Sequence, residues 1–217
     1  MSDNDINTYP GKQANVTWHG KLCIHIGECG RATGDLFIGG RQPWCQPDLS
    51  PGEEIEEVVL RCPTGALTFE FADGSVTEHA SDENTAAVSY NGPLFFRGNL
   101  AIESAPDDAP GLKYRAALCR CGKSKNKPFC DNSHEGVNFK DFGAIGETGE
   151  AFDGKGGELA ITPAKDGPLL MAGKLTLISG SGRAAWHGEQ TALCRCGESA
   201  NKPFCDGAHK KTGFKSD

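Results

Sequence analysis

Several things are missing from this sequence, and each absence excludes something. No apolar run approaches the roughly 20 residues that a membrane-spanning helix requires, and residues 1–10 are polar, without the apolar stretch of a secretory signal. A soluble, unanchored chain in the cytoplasm is the expectation. Apolar residues make up 37% of the 217, few for one large core, so small domains are expected. Long helical patterns are scarce, because 29 glycines and 12 prolines interrupt the chain and leave short strands, loops and one convincing helix. Basic charge is short as well. Residues 1–91 hold 5 Lys/Arg against 14 Asp/Glu and residues 92–217 hold 17 against 15, so no strongly basic face is available for nucleic acid. No glycine-rich loop follows a strand to cradle a nucleotide, and no nucleophile stands beside a base. His19, His79 and His187 fall outside any motif and read as surface or packing residues. An enzyme is not expected.

Cysteine, by contrast, is plentiful, with ten in the chain. In a reducing compartment, clustered cysteines with interleaved histidines read as metal ligands before disulfides. Six of them lie in an internal repeat: residues 92–142 match 167–217 at an offset of 75 without a gap. Each copy opens Gly-Pro-Leu and continues with strand-like stretches, 94–102 and 115–118 in the first, 169–178 and 191–193 in the second. The ligand pattern is Cys119, Cys121, Cys130, His134, and again Cys194, Cys196, Cys205, His209, both C-x-C-x8-C-x3-H. One residue between the first two cysteines lets both thiolates bind one iron, and the third cysteine with the histidine would take a second. The Cys and His suit the first turn of a helix, with Asp131 or Asp206 placed to cap it. Structural zinc sites pair cysteines as C-x2–4-C, a spacing found in neither copy.

Both segments resemble CDGSH iron–sulfur domains, the mitoNEET family, through Cys119-Arg120-Cys121, Ser124, Pro128-Phe129-Cys130-Asp131-Asn132-Ser133-His134 and the corresponding run ending Cys205-Asp206-Gly207-Ala208-His209. The resemblance implies one 2Fe–2S cluster per copy, and two motifs in one chain resemble the soluble branch that forms an internal pseudo-dimer. Asn132 stands where the motif has glycine, and since Asn tolerates positive φ the turn is expected to persist. Replacing one thiolate by imidazole makes the cluster less negative, so its potential should exceed the roughly −400 mV of plant-type ferredoxins. Basic residues gather round the first motif (Lys113, Arg115, Arg120, Lys123, Lys125, Lys127), and Arg195 and Lys202 recur in the second. They read as a solvated rim, or as charges that tune the potential or receive an acidic partner such as the N-terminal half.

Residues 8–80 carry Cys23, Cys29, Cys45 and Cys62. A helix is expected after Pro51, capped by Ser50 or Asp48, with Glu53, Glu54, Glu56 and Glu57 at its start and Ile55, Val58 and Val59 on its apolar side. It delivers Cys62-Pro63. The pattern Cys23-x5-Cys29 with a distant Cys62-Pro63-Thr64-Gly65-Ala66 resembles a divergent single-cluster ferredoxin domain. Ile26 occupies the middle-ligand position, which implies a 3Fe–4S cluster on Cys23, Cys29 and Cys62, or 4Fe–4S if Cys45 or His25 completes the set.

The expected architecture is α+β and mostly β: a small ferredoxin-like domain (8–80), a first CDGSH module (92–142), a linker or loop (143–166) and a second module (167–217), the modules packed as an internal pseudo-dimer. The expected function is one-electron transfer to a redox protein by a monomer. The alternative is iron–sulfur storage or transfer to an apo-protein, or redox or pH sensing.

Overall fold

The computed structural model of the chain describes residues 5–75, 78–153 and 156–216. Strand β2 (Ala14–His19) buries Ala14 and Val16 on one face by simple alternation. It pairs antiparallel with β1 (Ile6–Tyr9) and β3 (Leu67–Phe71), giving a three-stranded sheet in the order β1-β2-β3. A one-turn helix α1 (Glu28–Arg31) follows Cys23, and the expected helix is α2 (Gly52–Leu60). Ile55, Val58 and Val59 are buried from α2 into a core with Leu36, Phe37, Cys45 and Leu67. Its cap differs from the sequence expectation. Pro51 is extended (φ −66°, ψ 156°) and stands at the N-cap, which leaves Ser50 and Asp48 outside. Gln13 Oε1 accepts the free Gly52 N–H at 3.0 Å, while Asp48 is engaged by Lys12 N–H.

The remaining strands form one seven-stranded sheet: β4 (Thr85–Val88), β5 (Leu94–Arg97), β6 (Asn99–Ile102), β7 (Arg115–Leu118), β8 (Glu158–Pro163), β9 (Leu169–Ile178) and β10 (Ala184–Leu193). Their register carries the 75-residue offset except in the outer part of the β9–β10 hairpin, 175–178 against 184–188, which has no counterpart in the first copy. Leu94 faces Leu118 as Leu169 faces Leu193, and Val88 faces Leu94 as Pro163 faces Leu169. The repeat unit therefore extends in front of the stretch that aligns by sequence. Strand β8 lies inside residues 143–166, so the reading of that segment as linker or loop holds only for its first part. The strands β4 and β8 escaped notice because their pairing uses the backbone, and Thr85-Ala86-Ala87-Val88 shares no residue with Ala160-Ile161-Thr162-Pro163.

The two copies also exchange strands. β6 pairs in parallel with β8 (Ala101 opposite Ala160), and the end of β9 pairs in parallel with β4 (Thr176 opposite Thr85). Adding and subtracting 75 turns one pair into the other. The crossing occurs at Gly98 (φ 155°) and Gly173 (φ 125°), where a Cβ would collide with Asn84 in one case and with the Glu158 carbonyl in the other. Asn84, 2% exposed, ties the crossing together, donating to the Gly157 and Lys174 carbonyls and accepting Asn99 N–H. As a result the copies share one core, which Leu22 and Ala66 of the N-terminal domain also enter. Among the described residues there are two large cores, this shared one and that of the N-terminal domain, and a small cluster of Ile24, Ala117 and Cys130.

Candidate metal centres

β7 and β10 each run straight into a cysteine pair, and the third cysteine is brought back by backbone pairing. Cys119 N–H donates to the Pro128 carbonyl at 2.8 Å and Cys130 N–H to that of Ala117 at 2.9 Å; Cys194 and Cys205 repeat this with Pro203 and Ala192 at 2.7 and 2.8 Å. Ser124, 1% exposed, closes the intervening loop by donating to the Phe129 carbonyl and accepting Asn126 N–H, as Ser199 does in the second copy. Asp131 bridges the loop's two ends, accepting Lys125 N–H and Ser133 N–H at 2.8 and 3.0 Å, and Asp206 does the same with Ala200 and Ala208. The aspartate thus makes a local turn bond, and the helices it precedes, α3 (Ser133–Gly136) and α4 (His209–Thr212), are single turns without a side-chain cap. Each includes the histidine but not the cysteine.

Sγ–Sγ is 3.8 Å for Cys119 and Cys121 and 3.7 Å for Cys194 and Cys196; Sγ–Nδ1 is 3.5 Å for Cys130 and His134 and 3.4 Å for Cys205 and His209. Two thiolates at about 2.3 Å from one tetrahedral metal lie roughly 3.8 Å apart, and a thiolate with an imidazole nitrogen roughly 3.5 Å. Each pair of donors is thus spaced to share one tetrahedral iron, with Nδ1 the imidazole nitrogen that faces the thiol. Asn132 N–H and Gly207 N–H point at Cys130 Sγ and Cys205 Sγ at 3.4 Å. Asn132 takes φ 70° where Gly207 takes 84°, so the turn persists in the first copy despite the missing glycine.

The two cysteine loops meet back to back. A Cβ on Gly197 would lie 2.6 Å from the Cys121 carbonyl oxygen, and one on Gly122 would collide with that of Cys196. Gly122→Ala should therefore destabilise the protein by about 2 kcal/mol or more, since backbone must move to admit the methyl and φ is positive there. Urea titration checks this, and an unchanged midpoint would count against the contact.

In the N-terminal domain Cys23, Cys29 and Cys62 line one cavity of about 430 Å³, together with Ile26, His25 and Trp44. His25 Nδ1 is 3.9 Å from Cys23 Sγ. Cys45 does not line the cavity; it is 1% exposed in the core of this domain, bridged to Phe37. The cavity's inner wall touches the first CDGSH-like site: Ile24, 4% exposed, packs in a cluster with Ala117 and Cys130.

Comparison with known families matches residues 91–135 and 166–210 to the family described as iron-binding zinc finger CDGSH type, and residues 9–70 to the one described as divergent 4Fe-4S mono-cluster. The uncharacterized protein YjdI of Escherichia coli K12 is 34% identical over 69 residues, 32% of this chain and 91% of YjdI, and its counterpart in strain O157:H7 matches equally. This chain belongs to the CDGSH iron–sulfur family. Its N-terminal third is a divergent 4Fe–4S-type domain. No solved structure matches the chain.

The CDGSH thiols are poised to exchange protons for metal. The hydrogen bond from Cys121 lowers Cys119 to about 6 and, by the same bond, raises Cys121, while burial pushes Cys130 up to about 12 and Cys196 to about 11. Buried thiols of this kind ionise only opposite a cation, so metal loading releases protons. The basic residues divide. Lys113, Lys123 and Lys125 are exposed, but Arg115, Arg120 and Arg195 are at most 2% exposed, so the solvated-rim reading fails for the arginines. Arg115 binds the N-terminal half, as the alternative reading held. Sequence reasoning missed Ile24, whose apolar side chain carries no motif signal.

Proposed function

We propose that this protein is a one-electron carrier. Its two 2Fe–2S clusters are held by Cys119, Cys121, Cys130 and His134 and by Cys194, Cys196, Cys205 and His209, and a third, 3Fe–4S or 4Fe–4S, by Cys23, Cys29 and Cys62. Clusters of these types supply reversible one-electron iron chemistry. The observation that carries the reading is the cluster around Ile24: the residue next to Cys23 is buried in one cluster with Ala117 and Cys130, which sets the N-terminal site against the first CDGSH site. Gly122 and Gly197 bring the two CDGSH loops together without intervening side chains. The chain's own part is to exclude water and hold the donors still: Cys119, Cys121 and Cys130 are at most 6% exposed. The reciprocal register of β4, β6, β8 and β9 supports an internal pseudo-dimer, with a monomer as working unit. No helix among the described residues is long and apolar enough to cross a membrane. The partner on this reading is a one-electron redox protein in the same reducing compartment.

The test is iron and acid-labile sulfide content with EPR on anaerobically purified protein, as isolated and after dithionite. Two reducible 2Fe–2S signals plus a third cluster signal, retained through repeated oxidation and reduction, are expected. Transfer of clusters to an apo-acceptor on oxidation, abolished in His134→Cys and His209→Cys, would replace this reading with cluster delivery.

A further inference from the structure

The two CDGSH sites differ in one buried pair of charges. Arg120 and Arg195 are equivalent by the 75-residue offset and keep the same backbone partners: Nε donates to the Gly92 or Gly167 carbonyl, Nη2 to that of Ser89 or Ala164, and the guanidinium lies over Phe139 or Phe214. Among the described residues, only Arg120 has a carboxylate in contact. Its Nη1 donates to Asp141 Oδ1, the arginine side chain 0% and the aspartate 19% exposed. At the position equivalent to Asp141 stands Ser216, and the carboxylate has moved to the facing residue, from Asn91 to Asp166. There it binds Lys215 Nζ at 2.8 Å and Ser216 N–H at 3.0 Å, and does not touch Arg195. Counted over residues 119–136 and 194–211, the charges other than the arginine sum to +1 in each copy. The inequality is thus one of contact, at the least screened position.

Each arginine acts across the interface. Because the loops sit back to back at Gly122 and Gly197, Arg120 interacts electrostatically with Cys194 and, less strongly, with Cys121 of its own site, and Arg195 with Cys119 and, less strongly and without contact, with Asp166. A positive charge stabilises the more negative, reduced form of a site, and one paired in direct contact with a carboxylate does so less than one whose carboxylate is farther off.

We propose that the Asp141–Arg120 pair holds the two CDGSH sites at different potentials, with the site of Cys119 above the site of Cys194. This rests on the reading of both as 2Fe–2S sites. One electron from an external one-electron reductant, taken up as one Fe(III) becomes Fe(II) with no bond made or broken, would then reside on the first site, the one that Ile24 joins to the N-terminal domain. A tenfold or greater preference is expected, which for one electron is 59 mV.

The test is an EPR-monitored dithionite titration of the full chain and of two paired exchanges that conserve net charge and use residues already accepted in the other copy. The wild type should show two waves. Asn91→Asp with Asp141→Ser should raise the lower wave toward the upper, and Asp166→Asn with Ser216→Asp should lower the upper toward the lower. The N-terminal site is unchanged in both, so its charge drops out of the comparison. A single wave in the wild type, no movement in either exchange, or movement of the opposite wave overturns the proposal. Iron and sulfide below the amount for two 2Fe–2S clusters would overturn the reading of the sites instead.

Discussion

Arg115→Met is expected to destabilise the protein by about 3–5 kcal/mol, the range for breaking a buried ion pair from one side. Arg115 is 2% exposed and all five of its N–H groups are used. Nε and Nη2 form a bidentate pair with Glu78 at 2.5 and 2.7 Å, Nη1 donates to the Val59 and Cys62 carbonyls at 3.0 and 2.5 Å, and Nη2 also to that of Leu67 at 3.0 Å. Four acceptors from the N-terminal domain and the segment after it therefore converge on one side chain of β7. Beside it the backbones touch, where a Cβ on Gly65 would lie 2.5 Å from the Arg115 carbonyl. Methionine fills the space but takes the guanidinium from a carboxylate and three carbonyls, of which Val59 keeps Cys62 N–H. Urea denaturation should show the lower midpoint. The EPR signal of the proposed N-terminal cluster should change as well, because the proposed ligand Cys62 is also an acceptor for Arg115, while the second CDGSH signal should not. Glu78→Gln, which keeps an acceptor for the guanidinium, should cost less. Equal losses for both variants would mean that the ion pair, and not the carbonyl network, holds the domains together.

Removing iron with a chelator under anaerobic, reducing conditions should lower the melting temperature by about 10 °C or more, equivalent to several kcal/mol for a chain of this size. Structural metals in small cysteine sites contribute on the order of 10 kcal/mol. The loops from Cys119 to Cys130 and from Cys194 to Cys205 depend on such a term, for they end in one-turn helices, which have no stability of their own. Their ligand thiols are buried, five of the six under 9% exposed. Without metal the raised thiols of Cys121, Cys130 and Cys196 stay protonated, and the back-to-back contact at Gly122 and Gly197 loses its rigid borders. Circular dichroism melts before and after stripping, with iron and sulfide added back as the control, measure the effect. An unchanged melt after iron loss would show that the shared sheet alone carries the stability.

Much of this was readable from residue order, because ligand chemistry is local. The spacing of Cys119, Cys121, Cys130 and His134, repeated 75 residues on, marked both candidate metal sites, and the glutamate-rich start and apolar side of residues 52–60 identified the longest helix among the described residues. Cys23, Cys29 and Cys62 were likewise placed together by their motif, and the fold joins them around one cavity. What the order of residues left undecided depends on groups that meet only through the fold. Strands β4 and β8 pair through backbone atoms, which no side-chain pattern marks, and their exchange between copies turns on Gly98 and Gly173. The arginines looked like rim charges since their carboxylate and carbonyl partners lie far away in sequence, Glu78 being 37 residues from Arg115 and Asp141 21 from Arg120. The sequence by itself determined which side chains have the chemical type and short spacing of an iron ligand set, because those are properties of residue order. Only the tertiary structure decided which sites touch, which arginine is neutralised and where the N-terminal domain docks, because charge compensation and contact are properties of distance in space.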